Sequence, residues 1–573
     1  MAVRNGTRER MRADIMSAPS NRGNMAFVIA ALGLALTTSV SAMTPGGVQK
    51  KFVALCFDTM FNTPSNVLDH ADLLDQVPWL DGLAISLKDI EIPTTDGTTV
   101  TSDTWRVVQR GHRWTRESIA PQLKYCREIV KHPSLKESFL LVWNTPSGKH
   151  NRIFWNDDDG WRLFTENIAN LAWFAREAGF KGLMIDSEEY AGARQFSYVK
   201  GDADSYDECA ALARRRGREV FSAVFKEYPD ITLFFLWLFE DMVRHNSILG
   251  EMHPADMAQQ AGRLRHHFLN GMFDVVPPTV KFIDGAEHYW FSARNHAWWK
   301  GGISQFVGSK TFIDPANLGK FRSQLSMSHG HYLDMYSIHS KPGGWYHSPL
   351  DGSRLEHMRL NFVESLESAD EYIWIYGESG RLIDWKGGPT RHQSGKYDLW
   401  ERQIPGMTET LLLTKDPDKL MAMRMKELKK KGELRNLVGG AVKLPQSFSG
   451  EDKERVVRVD PLPVVKDVKS GDLYALSVSM KATAYLGIPH CTVKWRANGK
   501  PFGGWKEERP LSFRGKRSHG VWRSAYSLVR VPKGADELVF DVGATIHQGE
   551  AFTFDKIKIF KVGDAIPPWP SEK

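Results

Sequence analysis

From about residue 51 to 400, short apolar runs alternate with longer amphipathic stretches. The runs predict eight strands: Phe52–Phe57, Gly82–Leu87, Phe139–Trp143, Gly182–Asp186, Thr232–Leu238, Val280–Ile283, Leu333–Ile338 and Tyr372–Tyr376. Between them, Asp159 to Ala178 places Trp161, Phe164, Ile168, Leu171 and Ala175 on one helical face, with acids at its start and Gly179 at its end. A second helix is predicted from Asp207 to Glu227, before Tyr228-Pro229. Strands separated by helices pair in parallel, and eight of them predict a (β/α)8 TIM barrel.

The pattern changes further on. Asp416 to Lys431 is a basic helix whose Met421, Met425 and Leu428 recur at helical spacing, a face suited to packing on the barrel. Beyond it, Tyr474–Met480, Thr492–Ala497, Ala525–Val531, Leu538–Val542 and Phe552–Phe560 alternate with period two, separated by turns such as Asn498-Gly499. These segments predict an antiparallel, jelly-roll-like all-β sandwich. The expected organisation is a leader over 1–42, a barrel over 43–438 and the sandwich over 439–573.

The leader is inferred from Arg-rich residues 1–22, an apolar run from Met25 to Leu36 and small residues ending Val40-Ser41-Ala42. That order fits a cleaved export signal, and the run is short for a membrane span. Net charge is +7, and the segment from Val442 onward, with 22 Lys+Arg against 15 Asp+Glu, holds the whole excess. A basic module leaves an anionic glycan open as partner, and nothing points to nucleic acid. Cys56, Cys126, Cys209 and Cys491 are scattered without metal-binding spacing, so no metal or cofactor is expected. There is no phosphate-cradling Gly loop and no Gly-x-Ser-x-Gly elbow.

Chemistry gathers at the strand ends. The fourth strand runs into Asp186-Ser187-Glu188-Glu189-Tyr190, and alternation puts Asp186 and Glu188 on one face. Other strands end at Asp58, at Trp143-Asn144, at Trp237, at Asp284 and Glu287, at Tyr336 and His339, and at Tyr376 followed by Gly377-Glu378. In a barrel these ends share one mouth. Crowded carboxylates with Trp and Tyr suit glycoside cleavage, in which one acid protonates the leaving oxygen and a second group attacks or stabilises the anomeric carbon. Glu188 is the expected general acid, Asp186 its neighbour and Glu378 the second carboxylate. Asp58, Trp143, Asn144, Glu189, Tyr190, Trp237, Asp284, Glu287, Tyr336, His339 and Tyr376 are expected to contact the sugar, with Asp284 and Glu287 competing with Glu378.

Phe180-x-Gly182-x-x-x-Asp186-x-Glu188 resembles the fourth-strand signature of chitinase-type glycoside hydrolases. The resemblance implies that Glu188 is the acid/base and that Asp186 orients the substrate. Lys181, Met184 and Ser187 depart from that signature, which counts against substrate-assisted cleavage of an N-acetyl sugar. The eight-strand pattern also resembles barrel glycosidases of exported bacterial carbohydrate systems, and the C-terminal segment around Phe554-Asp555-Lys556-Ile557 resembles their sandwich modules. The expected function is an exported glycoside hydrolase acting on a poly- or oligosaccharide. The alternatives are a non-catalytic carbohydrate-binding barrel and a polysaccharide lyase.

Overall fold

The computed structural model describes residues 50–564, apart from segments 57–62, 107–110, 144–151, 188–194, 240–258, 260–261, 288–308, 342–345, 350–352, 385–397, 439–441, 451–454, 484–487, 504–508, 511–521 and 547–548. The leader expected over 1–42 lies outside these residues. Among the described residues no helix is long and apolar enough to cross a membrane.

A curled, all-parallel sheet organises the first half of the described chain. Its strands are β1 (Lys51–Cys56), β2 (Gly82–Ile85), β3 (Phe139–Trp143), β4 (Gly182–Asp186), β5 (Thr232–Phe235), β6 (Lys281–Asp284), β7 (Leu325–Met327), β8 (Gly330–Tyr332) and β9 (Tyr372–Gly377). Their hydrogen-bonded order is β8-β9-β1-β2-β3-β4-β5-β6-β7. The two end strands are separated in sequence only by Ser328-His329. This segment leans on β6 first, through Ser328 N–H to Asp284 O at 2.8 Å, and then on β9, through Trp374 N–H to His329 O at 3.0 Å. The expected barrel is therefore a curled sheet whose ladder is interrupted at this point.

The expected strand Leu333–Ile338 is corrected. Leu333–Tyr336 is a 3₁₀ turn, and the strand segments lie upstream in Leu-Ser-Met-Ser-His-Gly-His-Tyr. That stretch escapes an apolar pattern because polar residues are buried in it beside Met327 and Tyr332: Ser328, His329 and His331 are all inside. His331 stacks on Phe362, shares a hydrogen bond of 2.7 Å with Ser365 Oγ, and is held neutral by burial, far below the usual imidazole range.

Helices cover the sheet. In α1 (Asp158–Ala178), Asp157 accepts from Gly160 N–H at 2.9 Å and caps the start, while Gly179 ends it at φ 81°. Next come α2 (Tyr206–Glu227), α3 (Arg265–Val275) and α4 (Arg354–Ser368). The helices α5 (Met407–Lys415) and α6 (Pro417–Lys431) follow β9.

From Gln446 onward the described strands are antiparallel. They are β10 (Gln446–Ser449), β11 (Arg455–Arg458), β12 (Val464–Lys466), β13 (Leu473–Ala482), β14 (Ile488–Ala497), β15 (Lys500–Phe502), β16 (Arg509–Pro510), β17 (Arg523–Arg530), β18 (Glu537–Ile546) and β19 (Ala551–Gly563). One sheet runs β10-β19-β13-β17; the other runs β11-β18-β14-β15, with β12 on β18 and β16 on β14. Leu476, Val478 and Met480 of β13 join Val493, Trp495, Phe540 and Val542 in a shared core. The opposite face of β13, with Leu473 and Ala475, packs into the same apolar cluster as Leu411 and Leu420 of α5 and α6. Arg530 of β17 pairs with the buried Glu409 of α5 across this junction, and Arg424 of α6 pairs with the same carboxylate.

Candidate active site

Side chains pointing inward from the parallel strands form a filled interior. Near the strand starts, Phe139 meets Phe234 and Tyr372 edge-on at centroid distances of 5.6 and 5.5 Å. Above them Met184, Leu141, Ile283 and Trp374 continue the same cluster. Trp374 spans the interior and donates from Nε1 to Gly285 O at 2.8 Å. Its ring needs a bare backbone beside it: a Cβ on Gly330 would lie 2.5 Å from the indole.

Above Trp374 the strands end in polar groups. Met184 faces the interior, so alternation points Asp186 the same way, and Asp186 is buried. Ser187 turns outward to the guanidinium of Arg265 on α3. Arg265 also donates to Trp237 O at 2.6 Å and lies 4.3 Å over the Trp237 ring, tying the exits of β4 and β5 together. Trp237 itself is half-buried and packs against the interior cluster.

Asp284 takes a different place from its neighbours. Ile283 belongs to the interior, so Asp284 has outward parity, and its oxygens accept N–H bonds from Leu238 (3.1 Å), Phe239 (3.4 Å) and Ala286 (3.2 Å). Burial raises its pKa, and these three N–H groups oppose the rise. Its carboxylate fixes the β5 exit and supports Ala286, which adopts φ 48°, a strained value for a residue with a side chain. Glu287 follows, buried, with its N–H on Leu236 O at 3.1 Å.

At the β9 exit, Tyr376 stacks on Tyr332 at 5.1 Å and donates its hydroxyl to Glu378 Oε1 at 2.7 Å. The backbone there is held by Asp334, a residue the sequence pattern did not single out. Asp334 Oδ2 accepts from Glu378 N–H at 2.8 Å and Oδ1 from Ser379 N–H at 3.0 Å. Burial lifts the Asp334 carboxyl to about 6, with the nearby Glu378 charge adding to the rise. An acid between Leu333 and Met335 in an apolar run was the available signal, masked by reading that run as a strand.

Residues 152–155 are tied to Gln195 and Asp202. Gln195 exchanges two hydrogen bonds of 2.9 Å with the Ile153 backbone. Asp202, fully buried, pairs with Arg152 and accepts from Trp155 N–H at 3.3 Å. These contacts join the chain after β3 to the chain after β4.

Asp58, Asn144, Glu188, Glu189 and Tyr190 lie outside the described residues, as does the side chain of Trp143. Tyr336 does not end a strand: it sits in the 3₁₀ turn, fully buried, accepting from Asn361 Nδ2 at 2.7 Å and packed on His347 and His357. His339 is exposed beyond that turn. Elsewhere, Asp72, Asp75 and His132 stand close enough to share a cation, yet Asp75 already accepts from Ser134 N–H and Oγ at 3.0 and 2.7 Å. All four cysteines are buried.

No family model matches the chain, and no curated protein does. Among solved structures it is similar to a Prevotella bryantii endo-beta-mannanase/endo-beta-glucanase, at TM-score 0.36 and 11% identity, over 65% of this chain and 50% of that one. It is similar to a glycoside hydrolase at TM-score 0.34 and 8% identity, over 89% and 93%. It is also similar to a sugar phosphate isomerase/epimerase from Parabacteroides distasonis at TM-score 0.30 and 12% identity, over 66% and 98%. For two further structures the chain spans only 21% and 25% of their length. All these likenesses are remote, so the chemistry has to be read from the residues.

Proposed function

We propose that this chain is an exported glycoside hydrolase that cleaves a poly- or oligosaccharide with carboxylates at the ends of β4 and β9. One observation supports this most. With β7 and β8 taken as two halves of one strand, β4 and β9 stand four strands apart in either direction, so their exits face each other across the sheet's curl. Asp186 shares the parity of interior Met184, and Glu378 that of Trp374 and Tyr376. Glycoside cleavage needs two carboxyl groups on opposite sides of one bond.

In this reading Glu188, next on Asp186's face, protonates the leaving oxygen. Glu378, oriented by the Tyr376 hydroxyl, attacks the anomeric carbon or activates water. Trp237 offers an apolar ring beside the site. A catalytic region over 43–438 and a non-catalytic sandwich over 439–573 complete the proposal, with the leader pattern of 1–42 supporting export.

The test is turnover of the purified protein on a panel of polysaccharides and aryl glycosides, beside Glu378→Gln. Hydrolysis by the wild type that falls by orders of magnitude in the variant supports the reading. Binding without hydrolysis across the panel would favour the carbohydrate-binding alternative.

A further inference from the structure

We infer that Asp334 is a positioning residue for Glu378, an inference that rests on the reading of Glu378 as the second carboxylate. Three observations carry it. Both Asp334 oxygens are used on consecutive main-chain N–H groups, those of Glu378 and Ser379, at 2.8 and 3.0 Å. Asp334 lies in the turn that directly follows β8, while Glu378 directly follows β9, and these strands pair in register, Tyr332 with Tyr376. The bond therefore joins two neighbouring strand exits at the level where the ladder stops. Finally, the Glu378 side chain is held separately, by the Tyr376 hydroxyl, whose ring is stacked on Tyr332.

Glu378 is thus fixed at both ends, its backbone by Asp334 and its carboxylate by Tyr376. A carboxylate that must meet an anomeric carbon tolerates little displacement, and an ångström of misplacement is enough to lower turnover about a hundredfold. A buried acid set across two backbone N–H groups, with the Ser379 hydroxyl as a further partner, would be a costly choice for stability alone, since a neutral side chain could serve one of these N–H groups without the burial of charge. Its value lies in accepting both at once, which an amide cannot do: the NH₂ of Asn would face one of the two donors.

The experiment measures kcat and KM for the full chain and for Asp334→Asn, Asp334→Glu and Glu378→Gln on the best substrate of the panel, together with hydrogen exchange of the peptide spanning Glu378 and Ser379. Asp334→Asn is expected to lower kcat about tenfold to a hundredfold with KM nearly unchanged, to speed exchange at that peptide alone, and to be partly restored in Asp334→Glu. Loss of turnover in Glu378→Gln with wild-type kcat in Asp334→Asn would overturn the inference and leave the glycosidase reading standing. Wild-type turnover in Glu378→Gln, or none in the wild type, would overturn that reading and this inference with it. Wild-type exchange rates in Asp334→Asn would overturn the inference whatever the turnover.

Discussion

The two ends of the curled sheet treat charge in opposite ways. Where the strands begin, carboxylates meet ammonium groups. Lys51 lies 2.8 Å from Glu371 and 3.1 Å from Glu137, Lys281 lies 3.4 Å from Glu371, and Lys181 lies 3.5 Å from Glu137. Lys415 reaches from α5 to Asp81 and to Trp79 O at 2.7 Å. Burial alone would raise the Glu371 pKa, but Lys51 and Lys281 hold it below the ordinary range. Where the strands end, Asp284 and Asp334 rest on backbone N–H groups, and burial pushes both upward. Matched charge at one end fixes the sheet; at the other, the fold keeps acids that cost it stability. In barrel-like sheets that second end is where chemistry is done.

Changes at each end should separate function from stability. The largest effect belongs to Glu188→Gln, which should lower kcat about a thousandfold or more on substrates with poor leaving groups while thermal unfolding stays the same. Near-normal hydrolysis of a natural glycan by this variant would remove Glu188 from the mechanism. At the other end, Lys415→Met keeps the volume but leaves Asp81 without its ammonium partner. Removal of one member of a buried pair costs about 3–5 kcal/mol, and partial exposure of Asp81 places this variant near the lower bound. Urea unfolding should show that loss with turnover unchanged; a loss of turnover without a loss of stability would tie α5 to the chemistry. The smallest effect is expected of Tyr372→Phe, which removes the hydroxyl bond to Glu137 at 2.7 Å from the aromatic floor. About 1.5 kcal/mol should be lost, the low end for a hydrogen bond to a carboxylate, with kcat intact.

How far the pattern of residues could be read follows the same division. Strands such as Phe139–Trp143 and Gly182–Asp186 are where the apolar runs put them, because strands buried on both faces are continuous apolar segments. Five of the antiparallel strands, Leu473–Ala482, Ile488–Ala497, Arg523–Arg530, Glu537–Ile546 and Ala551–Gly563, were legible from alternation, since one face of each is apolar core, whereas the short strands Gln446–Ser449, Arg455–Arg458, Val464–Lys466, Lys500–Phe502 and Arg509–Pro510 carry too few alternations to read. The strand before Leu333 was not legible, because Ser328, His329 and His331 are buried in it, and His331 is satisfied by Ser365, a partner that only the fold supplies. The mouth was legible in composition but not in role. Asp284 looked like a substrate contact because it ends a strand in an acid, yet parity turns it toward the N–H groups of the next loop. Asp334 and Arg265 act through contacts between distant segments, so the acid in the apolar run around Leu333 could mark Asp334 but not its partners.

The comparison is tested most directly by unfolding free energy against pH, from about 3.5 to 8, for the wild type, Glu371→Gln and Asp334→Asn. Glu371 has a lowered pKa in the fold, so its contribution is present above its unfolded value of 4.5 and is lost as pH falls through the folded one. Glu371→Gln should therefore be less stable than the wild type at pH 7, with the gap closing in acid. Asp334 is raised from 3.8 to about 6, so its contribution is present below 3.8 and is lost as pH rises through 6. Relative to the wild type, Asp334→Asn should gain as pH rises across that window, by roughly 3 kcal/mol. Gaps of opposite slope are the predicted result. Two variants whose gaps follow pH in the same direction would contradict the division between a stabilising floor and a functional mouth.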